Sequence, residues 1–150
     1  MATVRSQIVD AAVALLDGAG KPAGLQTVVR CQLTTPNLEG GKSWIFVRSG
    51  EDEVRPVIGS KVPIRDHSFD MIVDCIAPGD ASTPADKAVD PLVAWCVKQL
   101  DGSTLGGLAI WVEERKTVYV YKQGDYPTCR ARITFDVRHT TKSGDAELLK

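Results

Sequence analysis

Few side chains in this chain of 150 residues are spaced for catalysis. His67 follows Asp66, which could make it a polarised base, but no motif places a serine or cysteine nucleophile beside it. Asp70 and Asp74 fall on one face of a predicted strand, too far apart in the chain to indicate paired acid–base chemistry. No nucleotide-binding, zinc-protease, nucleophile-elbow or EF-hand motif occurs. The sequence therefore predicts no catalytic residue and no cofactor.

Three consecutive acidic residues, Glu51, Asp52 and Glu53, are a candidate cation site, because carboxylates are suitable ligands for a hard cation. Adjacent side chains on a tight turn cannot all converge on one ion, however. A solvated hairpin tip is the favoured interpretation of this acidic run. No metal site is predicted there.

The cysteines also give no sign of a metal site. None forms a CxxC pair, and neither histidine lies near one at ligand spacing. Each cysteine lies inside an apolar run, where a reduced thiol behaves as a small hydrophobic side chain. We therefore expect four reduced thiols, at least three of them buried: Cys31, Cys75, Cys96 and Cys129.

The composition is that of one globular domain, with 43% hydrophobic and 25% charged residues and a formal net charge of −1 at pH 7. Such a charge provides no global positive field for nucleic acid or an anionic membrane. The N-terminal stretch lacks the apolar run of a signal peptide, and no segment is apolar over the about 18 residues of a membrane span. We expect a soluble protein that stays in the cytosol.

The spacing of apolar residues predicts a helix over 3–17 and then a strand in "GLQTVVRCQLT". The stretch "KSWIFVRSGEDEVRPVIG" is typical of a hairpin with its turn at "SGED". Pro56 indicates that the second arm of this hairpin is an edge strand or ends early. The clearest strand is 67–78, where apolar and polar residues alternate.

A second helix follows, with Thr83 as the predicted N-cap and Pro84 as its first residue. Pro91 should kink this helix, or restart it with Asp90 as a second cap. The last third predicts two or three strands, with cores at Ile110–Val112, Val118–Tyr121 and Cys129–Thr140. The predicted fold is α+β: a single mostly antiparallel sheet with two main helices packed on it, over 1–140, followed by a flexible tail at 141–150.

The last predicted strand, "CRARITFDVRHT", has an apolar side and a basic side. Its apolar side, from Cys129 to Val137, should pack on the helices, which puts Arg130, Arg132 and Arg138 on the opposite face. A nucleic-acid site would need more net positive charge and interleaved aromatic residues, and this face has neither. A solvated face and a protein interface both remain open.

This order of elements resembles the tail terminator proteins of long-tailed bacteriophages, the group typified by the lambda minor tail protein U. The stretches that carry the resemblance are "RSQIVDAAVALL", "WIFVRSGEDEVRP" and "ARITFDVRHT". The best match is "FDMIVDCIAPGDASTPADKAVDPLVAWCVKQL", in which a long alternating strand leads through a Pro-containing loop into a helix. The resemblance covers roughly residues 3–140, but residues 18–26 and 31–43 contribute nothing to it.

The resemblance implies an assembly protein that is not an enzyme. Such terminators form a ring, expected to be a hexamer, on the end of the tail tube, stop its polymerisation and present a surface to the head-completion (neck) proteins. DNA passes through the lumen without sequence-specific contact, and no membrane is involved. The expected location is the virion, at the head-proximal end of the tail, after assembly in the host cytoplasm.

In such a ring, two different patches must match, because a heterologous contact closes only between complementary surfaces. The arginine face is a candidate for docking the adjacent subunit or the tube, since guanidinium groups pair well with carboxylates. The candidate partners are Asp86, Asp90, Glu113 and Glu114. The acidic turn at Glu51–Glu53 could face the lumen or a tube partner, where like charge would keep DNA from binding.

Two other interpretations remain. The chain could be another head–tail joining protein of a phage, or an unrelated small α+β enzyme or ligand-binding domain. The oligomeric state distinguishes them, because a strict monomer with a deep polar pocket would favour the last.

Overall fold

The computed structural model describes residues 2–31, 38, 41–59, 61, 64–123 and 127–142. They form two helices and five strands. In chain order these are α1 (Val4–Leu16), β1 (Leu25–Arg30), β2 (Ser43–Pro56), β3 (Ile64–Pro78), α2 (Ala85–Leu100), β4 (Trp111–Lys122) and β5 (Thr128–Lys142). Neither helix is long and apolar enough to cross a membrane.

The strands form one sheet in the order β1-β2-β3-β5-β4. Only β1 and β2 are parallel, and every other neighbouring pair is antiparallel. Both helices pack on one face of this sheet, where their buried side chains join those of the strands in a single core. The predicted α+β fold with two helices on a mostly antiparallel sheet is confirmed.

The first helix lies within the predicted range 3–17 and begins where the Thr3 hydroxyl accepts a hydrogen bond from the Ser6 N–H. Arg30 at the end of β1 ties this helix to the sheet, because its Nη1 donates to Asp10 Oδ1 at 2.9 Å. The indole N–H of Trp95 donates to the Leu16 carbonyl at 2.9 Å, which joins the two helices and caps the end of α1.

The second helix begins one residue later than predicted. Thr83 is not its N-cap: Pro84 holds that position and no side chain caps the helix. The preceding turn is instead closed by Asp80, whose Oδ1 accepts hydrogen bonds from the Ser82 and Thr83 N–H groups and whose pKa they lower. The predicted restart at Asp90 is wrong, since α2 continues through Pro91 without a break.

The predicted hairpin with its turn at "SGED" is also wrong. β2 is one continuous strand of 14 residues that pairs with β3 on both sides of an irregularity between Ser49 and Asp52. Gly50 and Glu51 lie opposite the single residue Asp70, so one extra residue makes a bulge there instead of a turn. A side chain at Gly50 would lie 3.2 Å from Ile72 Cδ1, so this glycine permits a close approach of β2 to β3.

The predicted strand 67–78 is present as the longer β3, and the last third forms two strands, β4 and β5. β5 continues to Lys142, into the first two positions of the predicted tail. Residues 143–150, on which most of the tail prediction falls, lie outside the described part of the chain.

The thiols are distributed as predicted. Cys75, Cys96 and Cys129 are buried, Cys31 is exposed, and all four are free. The Sγ atoms of Cys75 and Cys96 lie 3.6 Å apart in the core. This hydrogen bond and burial raise the pKa of Cys75 well above the usual thiol value, and burial raises the pKa of Cys129.

These positions predict one fast-reacting thiol in the folded protein, because only an accessible thiolate is a good nucleophile. A chromogenic disulfide reagent should label Cys31 quickly and the three buried thiols only after unfolding. The variant Cys31→Ser should lose the fast phase. Fast labelling of a second thiol in the folded wild type would contradict the buried placement.

Candidate functional site

The face of the sheet opposite the helices, here called the open face, carries the polar side of β5. Alternation along this strand buries Ile133, Phe135 and Val137 in the core. Arg130, Arg132 and Arg138 therefore lie on the open face, as predicted.

Two of these arginines share one buried carboxylate. Asp74 of β3 lies opposite Arg132 in the ladder and is only 5% exposed. Arg132 Nε donates to Asp74 Oδ1 at 2.9 Å and Nη2 to Oδ2 at 3.3 Å, while Arg130 Nη1 lies 3.9 Å from Oδ2. The hydrogen bond from Arg132 satisfies the buried carboxylate, and it raises the pKa of the arginine.

A second buried carboxylate, Asp136, organises the other end of the open face. Ser68 Oγ donates to its Oδ1, and Arg138 Nε and Arg115 Nη2 lie 3.6 and 3.8 Å from its Oδ2. The guanidinium of Arg138 also stacks over Trp111, 4.8 Å from the ring centroid. The predicted arginine face thus has acidic partners inside the same chain.

The four acids predicted to meet these arginines on a neighbouring subunit lie on different surfaces. Asp86 and Asp90 are exposed on α2, on the helix side of the molecule. Glu113 is exposed on the open face, opposite Asp136 in the ladder. Glu114 is half-buried and its Oε1 accepts a hydrogen bond from Thr117 Oγ1 at 3.1 Å. Asp86 and Asp90 therefore form an acidic ridge on the side opposite the arginines.

A groove on the open face runs between β4 and β5, with a volume of about 560 Å³. Val118 and Val120 make its apolar part, and three cations surround them. We call it the basic groove, and its lining residues are Lys116, Val118, Val120, Arg130, Arg132 and Thr134. Apolar surface beside guanidinium groups suits a protein partner that presents carboxylates.

Among the described strands, β4 lies at the edge of the sheet and pairs with β5 alone. Its segment Val118–Tyr121 is exposed on both faces, with side chains that are 46–59% exposed. Trp111 at its start and Ile110 before it are also exposed. Large apolar side chains gathered on one edge indicate a surface for another protein. The apolar pattern of the sequence predicted this strand but not its exposure.

The acidic run lies within β2, so the predicted tip does not exist. Glu51 and Glu53 are exposed, and Glu53 pairs with Arg55. Asp52 instead turns toward the helix side, where its Oδ2 lies 3.3 Å from His67 Nδ1. The three carboxylates do not face one direction, because alternation along a strand separates neighbours.

The histidines form a stacked pair that the sequence did not reveal. His67 and His139 lie opposite each other in the ladder, with parallel rings whose centroids are 4.5 Å apart. His67 Nε2 lies 2.8 Å from Thr141 Oγ1. His139 is 2% exposed, and neither of its ring nitrogens has a hydrogen-bond partner among the described residues. Burial, and then the neighbouring His67, lower the pKa of His139 to about 4.

These groups do not make a recognisable reaction centre. Asp66, which precedes His67 in the chain, is not the carboxylate beside it; Asp52 is. Within the described ranges, no group of three His, Cys, Asp or Glu side chains is arranged to hold a metal ion.

No protein-family model and no curated protein sequence matches the chain. Among solved structures, it is similar to a chain from the virion of a native gene transfer agent particle, with 19% sequence identity and a TM-score of 0.46. The similarity covers 91% of this chain and 90% of that one. Similarity at this level carries no argument about function.

Proposed function

We propose that this chain is a phage tail terminator. In this role, copies of the chain form a ring, expected to be a hexamer, on the head-proximal end of the tail tube. The ring stops tube polymerisation and joins the tail to the head-completion proteins, and DNA later passes through its lumen. It is a structural component of the virion with no catalytic role, assembled in the host cytoplasm.

The observation that carries this proposal is the exposed apolar segment Val118–Tyr121 on the edge strand beside the basic groove. An apolar edge of this kind in a monomer promotes aggregation unless a partner covers it. Together with the resemblance of the chain to tail terminators, it favours an assembly protein over a monomeric enzyme.

The contact between neighbouring subunits is assigned to two oppositely charged patches. The basic groove of one subunit receives the acidic ridge, Asp86 and Asp90, of the next. These are two different patches, as a head-to-tail contact in a ring requires. Glu51 and Glu53, at the exposed half of β2, are proposed to face the lumen, where they would repel DNA.

Charge reversal on each patch tests this contact. Lys116→Glu and the double variant Asp86→Lys, Asp90→Lys should each bind tube ends poorly, because the first places a carboxylate in the groove against the acidic ridge and the second places cations on both patches. A mixture of the two variants in equal amounts should regain binding, since each restores the other's partner. Co-sedimentation with tail tubes measures this.

Lys61→Glu, a charge reversal at an exposed residue outside both patches, is the matched control and should bind like the wild type. Failure of the mixture to recover would remove the assigned contact. A second candidate, another head–tail joining protein, would bind finished tails without stopping the growth of naked tubes.

A further inference from the structure

Two tyrosines of β4 lie on the side of the sheet that carries the helices. Tyr119 pairs with Ala131 and Tyr121 with Cys129, and both partners on β5 are buried in the core. Residues opposite each other in a ladder point to the same face of the sheet. The tyrosines therefore lie on the same side as α2, where they are 50% and 47% exposed. Half-covered aromatic side chains of this kind are typical anchors of protein contacts.

The acidic ridge of α2 lies next to these tyrosines. Trp95 marks the side of α2 that faces α1, because its indole bonds to that helix. Since each residue turns an α-helix by about 100°, Asp86 and Asp90 lie on the other side of α2. This side faces β4, because α2 packs on β3, β5 and β4 while α1 packs on β1 and β2. Partial burial raises the pKa of Tyr119, and the charge of Asp90 raises it further.

The basic groove carries its arginines at the spacing of the two tyrosines. Arg130 and Arg132 are two residues apart on one strand, which separates their backbones by about 7 Å. Tyr119 and Tyr121 are also two residues apart on one strand and share this spacing. The groove has a volume of about 560 Å³, and a cavity of about 150 Å³ can hold a benzene molecule. Both tyrosine rings therefore fit into the groove, one beside each arginine.

The arginines of the groove are held in a way that favours stacking. Asp74 fixes Arg132 through hydrogen bonds of 2.9 and 3.3 Å, and the arginine side chain is still 44% exposed. These bonds lie in the plane of the guanidinium, so an aromatic ring can stack on its exposed flat face. A side chain that is already fixed loses little conformational freedom on binding. Arg138 makes the same kind of contact within the chain, over Trp111.

We propose that Tyr119 and Tyr121 anchor the contact between neighbouring subunits, with their rings in the basic groove of the next subunit and stacked on its two arginines. This inference rests on the subunit contact of the proposed function and names the side chains that hold it together. The acidic ridge lies beside the rings and meets Lys116 at the rim of the groove. Rim charges mainly direct the encounter of two proteins, whereas enclosed aromatic and arginine side chains carry most of the binding free energy.

Site-directed cross-linking on tail tubes tests this contact. In a Cys31→Ser background, Tyr121→Cys and Val118→Cys place a single accessible thiol on either side of it. A short bis-maleimide reagent should give covalent dimers when the two variants are mixed. Each variant alone should give none, because identical positions do not meet in a head-to-tail contact. Lys98→Cys, at an exposed position elsewhere on α2, is the control and should not cross-link to Val118→Cys.

Substitution of the tyrosines tests their role as anchors. Tyr119→Ala and Tyr121→Ala should each weaken binding to tube ends at least about tenfold. Phenylalanine at either position should keep most of the affinity, because its ring also stacks on a guanidinium. Val54→Ala removes a similarly exposed apolar side chain from β2 and should bind like the wild type. Circular dichroism should show every variant folded, since these side chains are about half exposed.

A wild type that caps tubes, combined with alanine variants that bind equally well or a mixture that gives no cross-link, would overturn this inference alone. Cross-links within a single variant would indicate a two-fold contact and would also overturn it. A wild type that does not bind tube ends would contradict the terminator function, and this inference with it.

Discussion

Lowering the pH from 6.5 to about 4 should reduce the free energy of unfolding of the wild type by about 3 kcal/mol more than that of a His139→Phe variant. The ring of His139 is buried and its pKa is about 4, against 6.5 for an ordinary histidine. The unfolded chain therefore binds a proton in this range that the folded protein excludes. The difference between 6.5 and about 4, at about 1.36 kcal/mol for each pKa unit, gives this magnitude.

The sign follows from the lowered pKa. The contribution of His139 to the free energy of unfolding is present above pH 6.5 and is lost as the pH falls toward 4. Below pH 4 this group causes no further loss. The groups that face the ring come from every neighbouring element: Asp52 from β2, His67 and Phe69 from β3 and Arg5 from α1. None of them gives His139 a hydrogen-bond acceptor that could compensate its charge.

Urea unfolding of both proteins at several pH values provides the measurement. At neutral pH, His139→Phe should be at least as stable as the wild type, because an apolar ring removes two unpartnered buried nitrogens. His139→Leu is a second apolar variant, and it controls for a loss of stability that arises because the phenylalanine ring does not fit the site. His67→Gln retains His139 and should keep most of the pH dependence. Equal pH dependence in the wild type and both His139 variants would contradict the assignment.

The second large effect concerns the buried carboxylate of the open face. Replacing Arg130 and Arg132 together by Glu should lower the free energy of unfolding by about 2 kcal/mol, because Asp74 loses both cations and gains two anions. The effect falls below that of a fully buried pair, since the two arginine side chains are 35% and 44% exposed and water screens them.

Lys116→Glu is the matched control on the same face. Its neighbour across the ladder is Thr134, so the change should alter stability by less than about 0.5 kcal/mol. Adding Asp74→Asn to the double arginine variant should recover part of its stability, because the change removes the repulsion between the Asp74 carboxylate and the two introduced carboxylates. Chemical denaturation measures all four proteins. An unchanged stability of the double variant would show that Asp74 does not depend on these arginines.

This result matters for assembly experiments. Loss of assembly in the Arg130→Glu, Arg132→Glu variant would report on folding as well as on the interface. Lys116→Glu separates the two, because it changes the charge of the basic groove and leaves Asp74 with its partners.

Alternation along the strands was the most informative feature of the sequence. It assigned the buried and open faces of β3 and β5 correctly, because a strand with one covered face must separate apolar from polar side chains. The first helix followed from its apolar spacing. Local patterns of this kind depend on neighbours a few residues apart, which the sequence contains directly.

The errors arose where one local signal fits two structures. Glycine and acidic residues at "SGED" suit a turn, but they also suit a bulge, and the length of β3 decides between them. The stacking of His67 on His139 depends on the register of β3 with β5, between strands that lie far apart in the chain. The exposure of Val118–Tyr121 depends on the position of β4 at the edge, and no property of the segment itself reports it.

The most direct test of the proposed function is electron microscopy of tail tubes grown with and without this protein. Tube protein from the same phage would polymerise alone, and the purified chain would be added during growth. The proposal predicts that elongation stops and that a ring of copies, expected to be six, occupies one end of each tube. Tubes that grow as fast with the protein as without it, or that bind the protein along their sides instead of at an end, would contradict the proposal.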